Sequence, residues 1–422
     1  MKSVIICDME GRIEKFTKGA EEIFGYTAEE VVGKERVSVF SPGEIVLQNV
    51  PVWLERASED GEYVTKTKFI RKDGTSFNAR IRITPTFANG KQNGQTGYCG
   101  VTEVIDEEVY IPIKWQTKMI KALAITRLPF LSAVLMPAFI GGAYAYHYLP
   151  EGGSTFPWLL FLFAVLGVAL LHLGSNVMND YFDVKDGTDE ANNDYFLQLS
   201  GGSRAIELGL ISLEGTKRLG LTLIGLALII GIVLTAMTGW MTFILGMAGL
   251  LIGYLYTAPP VRLVARRGLG ELGIALAFGP LVTAGIVYVT SMQLSPMAFL
   301  IGLPVGLLTA NILLINEFPD AASDATTGKN HLVVTFGKER STYIYLAILL
   351  MAFLSHVAMV WWLPDVNYIL LAVAIGFVGV GIYAFRQIRT YYQSRELVQY
   401  NQLTVYLSGL TGLLTTMALI LG

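Results

Sequence analysis

The chain has 422 residues, 53% of them hydrophobic and 15% charged, with 44 glycines, a mean hydropathy of +0.50 and a formal net charge of −3. These figures exclude a disordered chain, a coiled coil, a collagen-like repeat and an ordinary soluble enzyme. The charge is uneven: residues 1–113 carry 14 Lys+Arg and 18 Asp+Glu, and all the rest only 17 and 16, so a soluble head precedes a membrane body. Neither part has the basic stripe that phosphate neutralisation requires, which removes nucleic acid as a partner.

The first residues, MKSVIICDMEGRIEKF, hold an apolar run too short for a signal peptide, and the head is expected in the cytoplasm. Residues 4–7 and 12–16 read as strands around the turn Asp8-Met9-Glu10-Gly11, and Ala20 to Phe24 has the spacing of a short helix. Residues 63–71, the turn Lys72-Asp73-Gly74-Thr75, residues 77–84 and residues 97–105 supply three more strands. This order predicts a small α+β sensor fold. Cys7 and Cys99 form neither a CxxC pair nor a zinc spacing and are expected to be reduced and structural. The segments IICDMEGRIEKFTKGAEEIFGYTAEEVVGK, FIRKDGTSFNARIRITP and GYCGVTEVID resemble a PAS domain, over residues 1–109. The resemblance implies a regulatory module and a PAS-mediated homodimer. All four histidines (His147, His172, His331, His356) lie beyond the head, so no histidine there can ligate a haem, and no cofactor is expected in it.

Residues 110–127, with Trp115, Met119 and Ile120, suggest an amphipathic linker helix at a membrane interface. Beyond it, apolar stretches long enough to cross ~30 Å of hydrocarbon recur at 128–149, 157–177, 217–237, 240–258, 268–290, 297–316, 341–363, 367–386 and 402–422. They predict an all-α bundle of nine transmembrane helices over 128–422. Connections after the even-numbered helices hold the basic residues, and those after the odd-numbered ones, up to the seventh, hold none. The positive-inside rule therefore puts the head and the charged loops on the cytoplasmic side of a cell membrane and the C-terminus outside.

Two acidic patterns stand at cytoplasmic helix ends. In the first, Asn176, Asn179, Asp180 and Asp183 fall at helical spacings of three and four, with Asp186 and Asp189 following. In the second, Asn316 and Glu317 precede Asp320 and Asp324, which lie four apart. Like charges so placed repel, and more strongly near lipid, unless they bind a cation. Their hard oxygens suit Mg²⁺, and two clusters suit two ions gripping one diphosphate. Arg204, Arg262, Arg267 and Lys329 lie close by in sequence as candidate phosphate ligands.

The phrases NDYFDVKDGTD, SGGSRAIELGLIS, YLYTAPPVRLVARRGLGELGIALAFGP and NEFPDAASDATTGKNHLVVTFGK are similar to those of the UbiA superfamily of intramembrane prenyltransferases, over about residues 120–422. The resemblance implies Mg²⁺-dependent transfer from a prenyl diphosphate to an aromatic acceptor. Its two motifs map onto Asn179, Asp180, Asp183 and Asp189 and onto Asp320 and Asp324, with Asn179, Asp183, Asp189, Asp320 and Asp324 as metal ligands and Asn176 and Asn179 facing the diphosphate. The form with RGLGEL and GKNxL is most similar to the menaquinone branch, whose acceptor is 1,4-dihydroxy-2-naphthoate. Glu317 departs from that branch, where Asn is common. Other acceptors (4-hydroxybenzoate, homogentisate, a tetrapyrrole, a lipid alcohol) and a non-catalytic membrane receptor are the alternatives. Gly246, Gly249, Gly253, Gly279 and Gly285 would allow close packing around an isoprenoid tail, and Tyr254, Tyr256 and Phe278 are expected to be packing or interface aromatics, with a place beside a carbocation as the alternative.

Overall fold

The computed structural model describes residues 2–9, 11–88, 94–148, 156–187, 205–206, 210–363, 367–394 and 396–421. The chain forms two compact units that meet in sequence at residues 125 and 126.

In the first unit β1 (Lys2–Asp8) and β2 (Ile13–Phe16) are followed by α1 (Lys18–Phe24), α2 (Ala28–Val31), α3 (Gly43–Gln48) and α4 (Val50–Asp60), then by β3 (Tyr63–Ile70), β4 (Ser76–Phe87) and β5 (Gln95–Val104). The sheet order is β2-β1-β5-β4-β3 with every neighbouring pair antiparallel. The β3–β4 turn closes because Gly74 takes a left-handed φ of 83° and the Asp73 carboxylate accepts from the Thr75 N–H at 2.9 Å. Alternate residues of the strands meet the helices in a core of Phe16, Phe24, Phe40, Phe69 and Phe77. The Phe24 ring has those of Phe40, Phe69 and Phe77 at 4.5, 5.6 and 5.5 Å. Cys7 packs against Ile45, Trp53 and Tyr98. Burial pushes its thiol up to about 12 and raises that of Cys99 as well, so both free cysteines are protonated at neutral pH.

The expected linker helix is α5 (Trp115–Thr126). One face is tied to α3: the Gln48 side-chain oxygen accepts from Lys114 N and Thr117 Oγ1, each at 2.9 Å, and Lys121 pairs with Glu44 at 2.5 Å. Trp115, Met119 and Ile120 are exposed.

The second unit is helical: α6 (Ser132–Tyr148), α7 (Trp158–Lys185), α8 (Leu213–Thr238), α9 (Trp240–Leu255), α10 (Leu269–Leu276), α11 (Val282–Ser291), α12 (Pro296–Leu300), α13 (Leu303–Thr326), α14 (Leu332–Phe336), α15 (Lys338–Trp362), α16 (Asn367–Tyr391) and α17 (Leu397–Leu421). A π-turn at Ala277–Leu281, which contains Pro280, joins α10 to α11. Among the described residues seven spans are long and apolar enough to cross a membrane. The expected count of nine is not reached on that measure, because α6 and α9 have only 17 and 16 residues, about 24–26 Å at 1.5 Å per residue. The span containing α13 is 72% buried, against 17% for α8, so α13 runs through the centre of the bundle. Gly279 makes this possible on one side. A Cβ there would stand 2.3 Å from Gly302 O and 2.8 Å from Gly306 Cα, so the two backbones touch.

Two helices are longer than the apolar pattern suggests. The apolar stretches that end near 177 and 316 are followed by helix as far as Lys185 and Thr326, which carries both acidic motifs as their three- and four-residue spacing expects. Helix α7 has 28 residues, about 42 Å in length, which exceeds the hydrocarbon thickness and takes its polar last turns beyond it.

Candidate active site

The polar ends of α7 and α13 meet at one side chain. Gly328, at a left-handed φ of 72°, turns the chain after α13 so that Lys329 N–H donates to Asp324 O at 2.9 Å. The Lys329 ammonium then reaches Asp183 Oδ1 at 3.1 Å, 146 residues away in sequence. Burial alone would lower its pKa, but the carboxylates of Asp183, Asp324 and Asp320 outweigh that and hold it above the ordinary lysine value.

On α7, Asn179 donates to Asp183 Oδ2 at 3.0 Å across one helical turn. Its own Oδ1 is buried and has no hydrogen-bond donor among the described residues. Asp180 turns to the other side and pairs with Arg127 at 2.6 Å, and Asp186 pairs with Arg262 at 3.1 Å. Asn176 stands 3.2 Å from His172, whose ring meets the edge of Phe278 with centroids 5.1 Å apart. On the other side of Lys329, His331 lies between two acids, with Nε2 at 3.0 Å from Asp324 and Nδ1 at 3.1 Å from Glu317. Burial would lower the pKa of this imidazole, but the bonds to Asp324 and Glu317 raise it to about 9, so it is cationic at neutral pH.

Several of these groups line a cavity of about 350 Å³ inside the second unit. Its polar wall includes Arg127, Asn176, Asn179, Asp320, Asp324 and Lys329, and the remainder is mostly apolar, with Leu228, Phe243, Leu250 and Ile312 among its lining. Gly246, Gly249 and Gly285 border it, and a Cβ at any of them would meet nothing within 4 Å. These three glycines widen the cavity, whereas Gly279 packs helix against helix.

The structure thus gathers most of the residues singled out in the sequence. Asn176, Asn179, Asp320, Asp324 and Lys329 face the cavity, and Asp183 supports Lys329 from behind. Asp180 and Arg262 act through ion pairs beside it. Arg267 is not part of the wall: its side chain is exposed, and its backbone N–H donates to Asn330 O at 2.8 Å. Arg204 and Asp189 lie outside the described residues. Tyr256 and Phe278 line the cavity and Tyr254 does not. No group of three or more acids, histidines or cysteines is drawn together as a closed metal site among the described residues.

Sequence reasoning missed Arg127, His331 and Glu271. Arg127 reads as one more basic residue before an apolar stretch, and the positive-inside bias explains it without a site. His331 lies seven residues beyond Asp324 and Glu271 lies 46 before Glu317, so only folding brings them together.

Residues 134–409 match the UbiA prenyltransferase family and residues 1–104 match a PAS domain family. The 1,4-dihydroxy-2-naphthoate octaprenyltransferase of Bacillus subtilis is 25% identical over 236 residues, 56% of this chain and 72% of that protein. The enzyme of the same name from Escherichia coli is 31% identical over 207 residues, 48% of this chain and 65% of its own length. A solved UbiA homolog from Archaeoglobus fulgidus bound to GPP and Mg²⁺ aligns with a TM-score of 0.52 and 17% identity, over 72% of this chain and 100% of that one. The apo UbiA homolog from Aeropyrum pernix aligns at 0.51 and 15%, over 70% and 98%. At these identities the structural likeness is one of fold.

Proposed function

Because the chain belongs to the UbiA prenyltransferase family, with a PAS domain preceding the enzyme, we propose that this membrane prenyltransferase transfers a polyprenyl group from its diphosphate to 1,4-dihydroxy-2-naphthoate. The observation that carries the reading is the junction of both acidic motifs at Lys329 on the wall of a largely apolar cavity. The relatives that share the acceptor in their names support the choice of naphthoate.

The donor set fits Mg²⁺. The oxygens are carboxylate and amide, and the buried Asn179 Oδ1 has no donor among the described residues, as a cation ligand requires. Asn179, Asp183, Asp320 and Asp324 would hold two ions, with Asp189 a further ligand in the sequence. Bound there, Mg²⁺ supplies positive charge to the departing diphosphate. Lys329, Arg127 and Arg262 add fixed cations beside the same oxygens, where a water-poor setting strengthens them. The C–O bond of the allylic diphosphate breaks with its electron pair on oxygen, a ring carbon of the acceptor supplies the pair for the new C–C bond, and that carbon then sheds its own substituent, a proton or a carboxyl group as CO₂, so that the ring regains aromaticity. The apolar wall keeps water from the cation, and the open space at Gly246, Gly249 and Gly285 receives the isoprenoid tail.

The domain reading is a PAS head over 1–109, an interfacial linker over 110–127 and a nine-crossing body over 128–422 in which α6 and α9 also span. Head and motifs face the cytoplasm, and the C-terminus lies outside. The head is regulatory, carries no cofactor and pairs with a second copy. Membranes incubated with Mg²⁺, labelled geranylgeranyl diphosphate and a panel of hydroxylated aromatic acids should yield a prenylated naphthoate product. Efficient transfer to 4-hydroxybenzoate alone would replace the acceptor, and no transfer to any acid would overturn the reading.

A further inference from the structure

Glu317 is the one acid of the α13 motif that the preceding mechanism leaves unused. It lies one turn before Asp320 on the same helix, 6% exposed, and borders the cavity where the polar end gives way to Ile312 and Leu313. Prenyl transfer needs a third component at that place. With the diphosphate at the polar end and the isoprenoid in the apolar part, the carbon that reacts lies at the transition, and the acceptor ring must approach it there.

The surroundings of Glu317 favour a hydroxyl donor. Its Oε1 has no hydrogen-bond donor among the described residues, and His331 stands 3.1 Å from Oε2. Glu271, on α10, brings a second carboxyl into hydrogen-bonding reach of it. Glu271 is itself fixed through Oε1, which accepts from Leu332 N–H at 2.8 Å, and its Oε2 also has no donor among the described residues. Two buried carboxyls therefore face each other with oxygens that have no hydrogen-bond partner among the described residues, which leaves acceptor capacity for a donor that enters the cavity. Tyr256 and Phe278 line the cavity and suit a planar ring.

From this we propose that Glu317, supported by Glu271 and held by His331, binds a phenolic hydroxyl of the aromatic acceptor. The assignment rests on the prenyl-transfer reading and deepens it, since it names the acceptor group that is recognised. It also fixes orientation: an acceptor that carries a carboxylate must turn that group away from Glu317 and present its hydroxyl edge.

The test uses the full-length protein and compares 1,4-dihydroxy-2-naphthoate with its two mono-O-methyl ethers, in transfer assays and in direct binding without diphosphate. A charge-assisted hydrogen bond of ordinary strength corresponds to roughly tenfold to a hundredfold. Glu317→Gln should raise the KM and Kd for the dihydroxy acceptor by about that factor, while the Kd for geranyl diphosphate with Mg²⁺ stays within about twofold. Methylating the recognised hydroxyl should cost the wild type a similar factor and cost Glu317→Gln little more, a non-additivity that a purely structural role would not produce. Glu317→Asp, which keeps a carboxyl group, should recover part of the affinity and guards against a folding defect in the amide variant. A wild type that transfers normally while Glu317→Gln and Glu317→Asp leave acceptor KM and the ether penalty unchanged would overturn this assignment alone. A wild type that prenylates no hydroxylated aromatic would overturn it together with the function.

Discussion

The ends of α7 and α13 are both acidic, yet their charges are balanced in different ways. Asp180, Asp183 and Asp186 each meet a cation from a distant part of the chain: Arg127, Lys329 and Arg262. Asp324 and Glu317 instead share His331, which lies on the turn that follows their own helix. The first motif therefore links the bundle across long sequence separations, whereas the second closes locally. A buried carboxylate bound to a remote buried cation should couple catalysis to global stability, and one bound to a local imidazole should affect stability less.

The largest effects should come from the acids nearest Lys329. Asp183→Asn and Asp320→Asn should each lower transfer by at least about a thousandfold, because an amide removes a charged oxygen from a metal-diphosphate site. Near-normal turnover of either variant at saturating Mg²⁺ would break the two-motif mechanism. Asp183→Asn should also cost stability, at most roughly 3–5 kcal/mol, since Lys329 loses the carboxylate it is hydrogen-bonded to and keeps only the pull of Asp324 and Asp320. Adding Lys329→Met should restore much of the thermal-unfolding midpoint without restoring transfer. A double variant no more stable than Asp183→Asn would show that the ion pair is not what joins the two helices.

His331 sharpens the other half of the comparison. Its pKa of about 9 lies above the ordinary 6.5, so its pairing contributes fully below about pH 6.5 and is lost as the pH rises through about 9. The stability difference between wild type and His331→Gln, followed by thermal unfolding without added Mg²⁺, should therefore be largest at acidic pH and vanish in alkali. A difference that grows with pH would refute the cationic imidazole.

Smaller changes should follow at the periphery. The Asp186–Arg262 pair is about a quarter exposed on each side, so Asp186→Asn should cost no more than about 1 kcal/mol and only a few-fold in rate. Smallest of all, deleting residues 1–109 should leave measurable transfer, because every residue assigned to the two motifs lies in the sequence after the head. A truncated protein that keeps its unfolding midpoint but has no activity would extend the site beyond the two helix ends.

Much of this was legible before folding. Alternation and turn residues located the five strands of the head, and four-residue spacing placed Asp320 and Asp324 on one face of α13. The apolar stretches stop at 177 and 316, because hydropathy marks where apolar residues end and says nothing about i to i+4 hydrogen bonding, which runs on to Lys185 and Thr326. The glycines were grouped by composition, although Gly279 touches backbone while Gly246 and Gly285 face open space. Composition cannot separate the two uses.

By itself the sequence determined what local chemistry and periodicity control: a sheet-containing head, an apolar helical body, and two sets of carboxylate and amide side chains at helix ends. Each follows from residues within a few turns of one another, where spacing fixes proximity. Only the tertiary structure decided the partners. It set Lys329 against Asp183 across 146 residues, Arg127 against Asp180, and Glu271 beside Glu317. Contacts of that kind depend on which helix faces pack, and packing is governed by shape and close backbone approach over the whole bundle, for which no short stretch of sequence carries a signal.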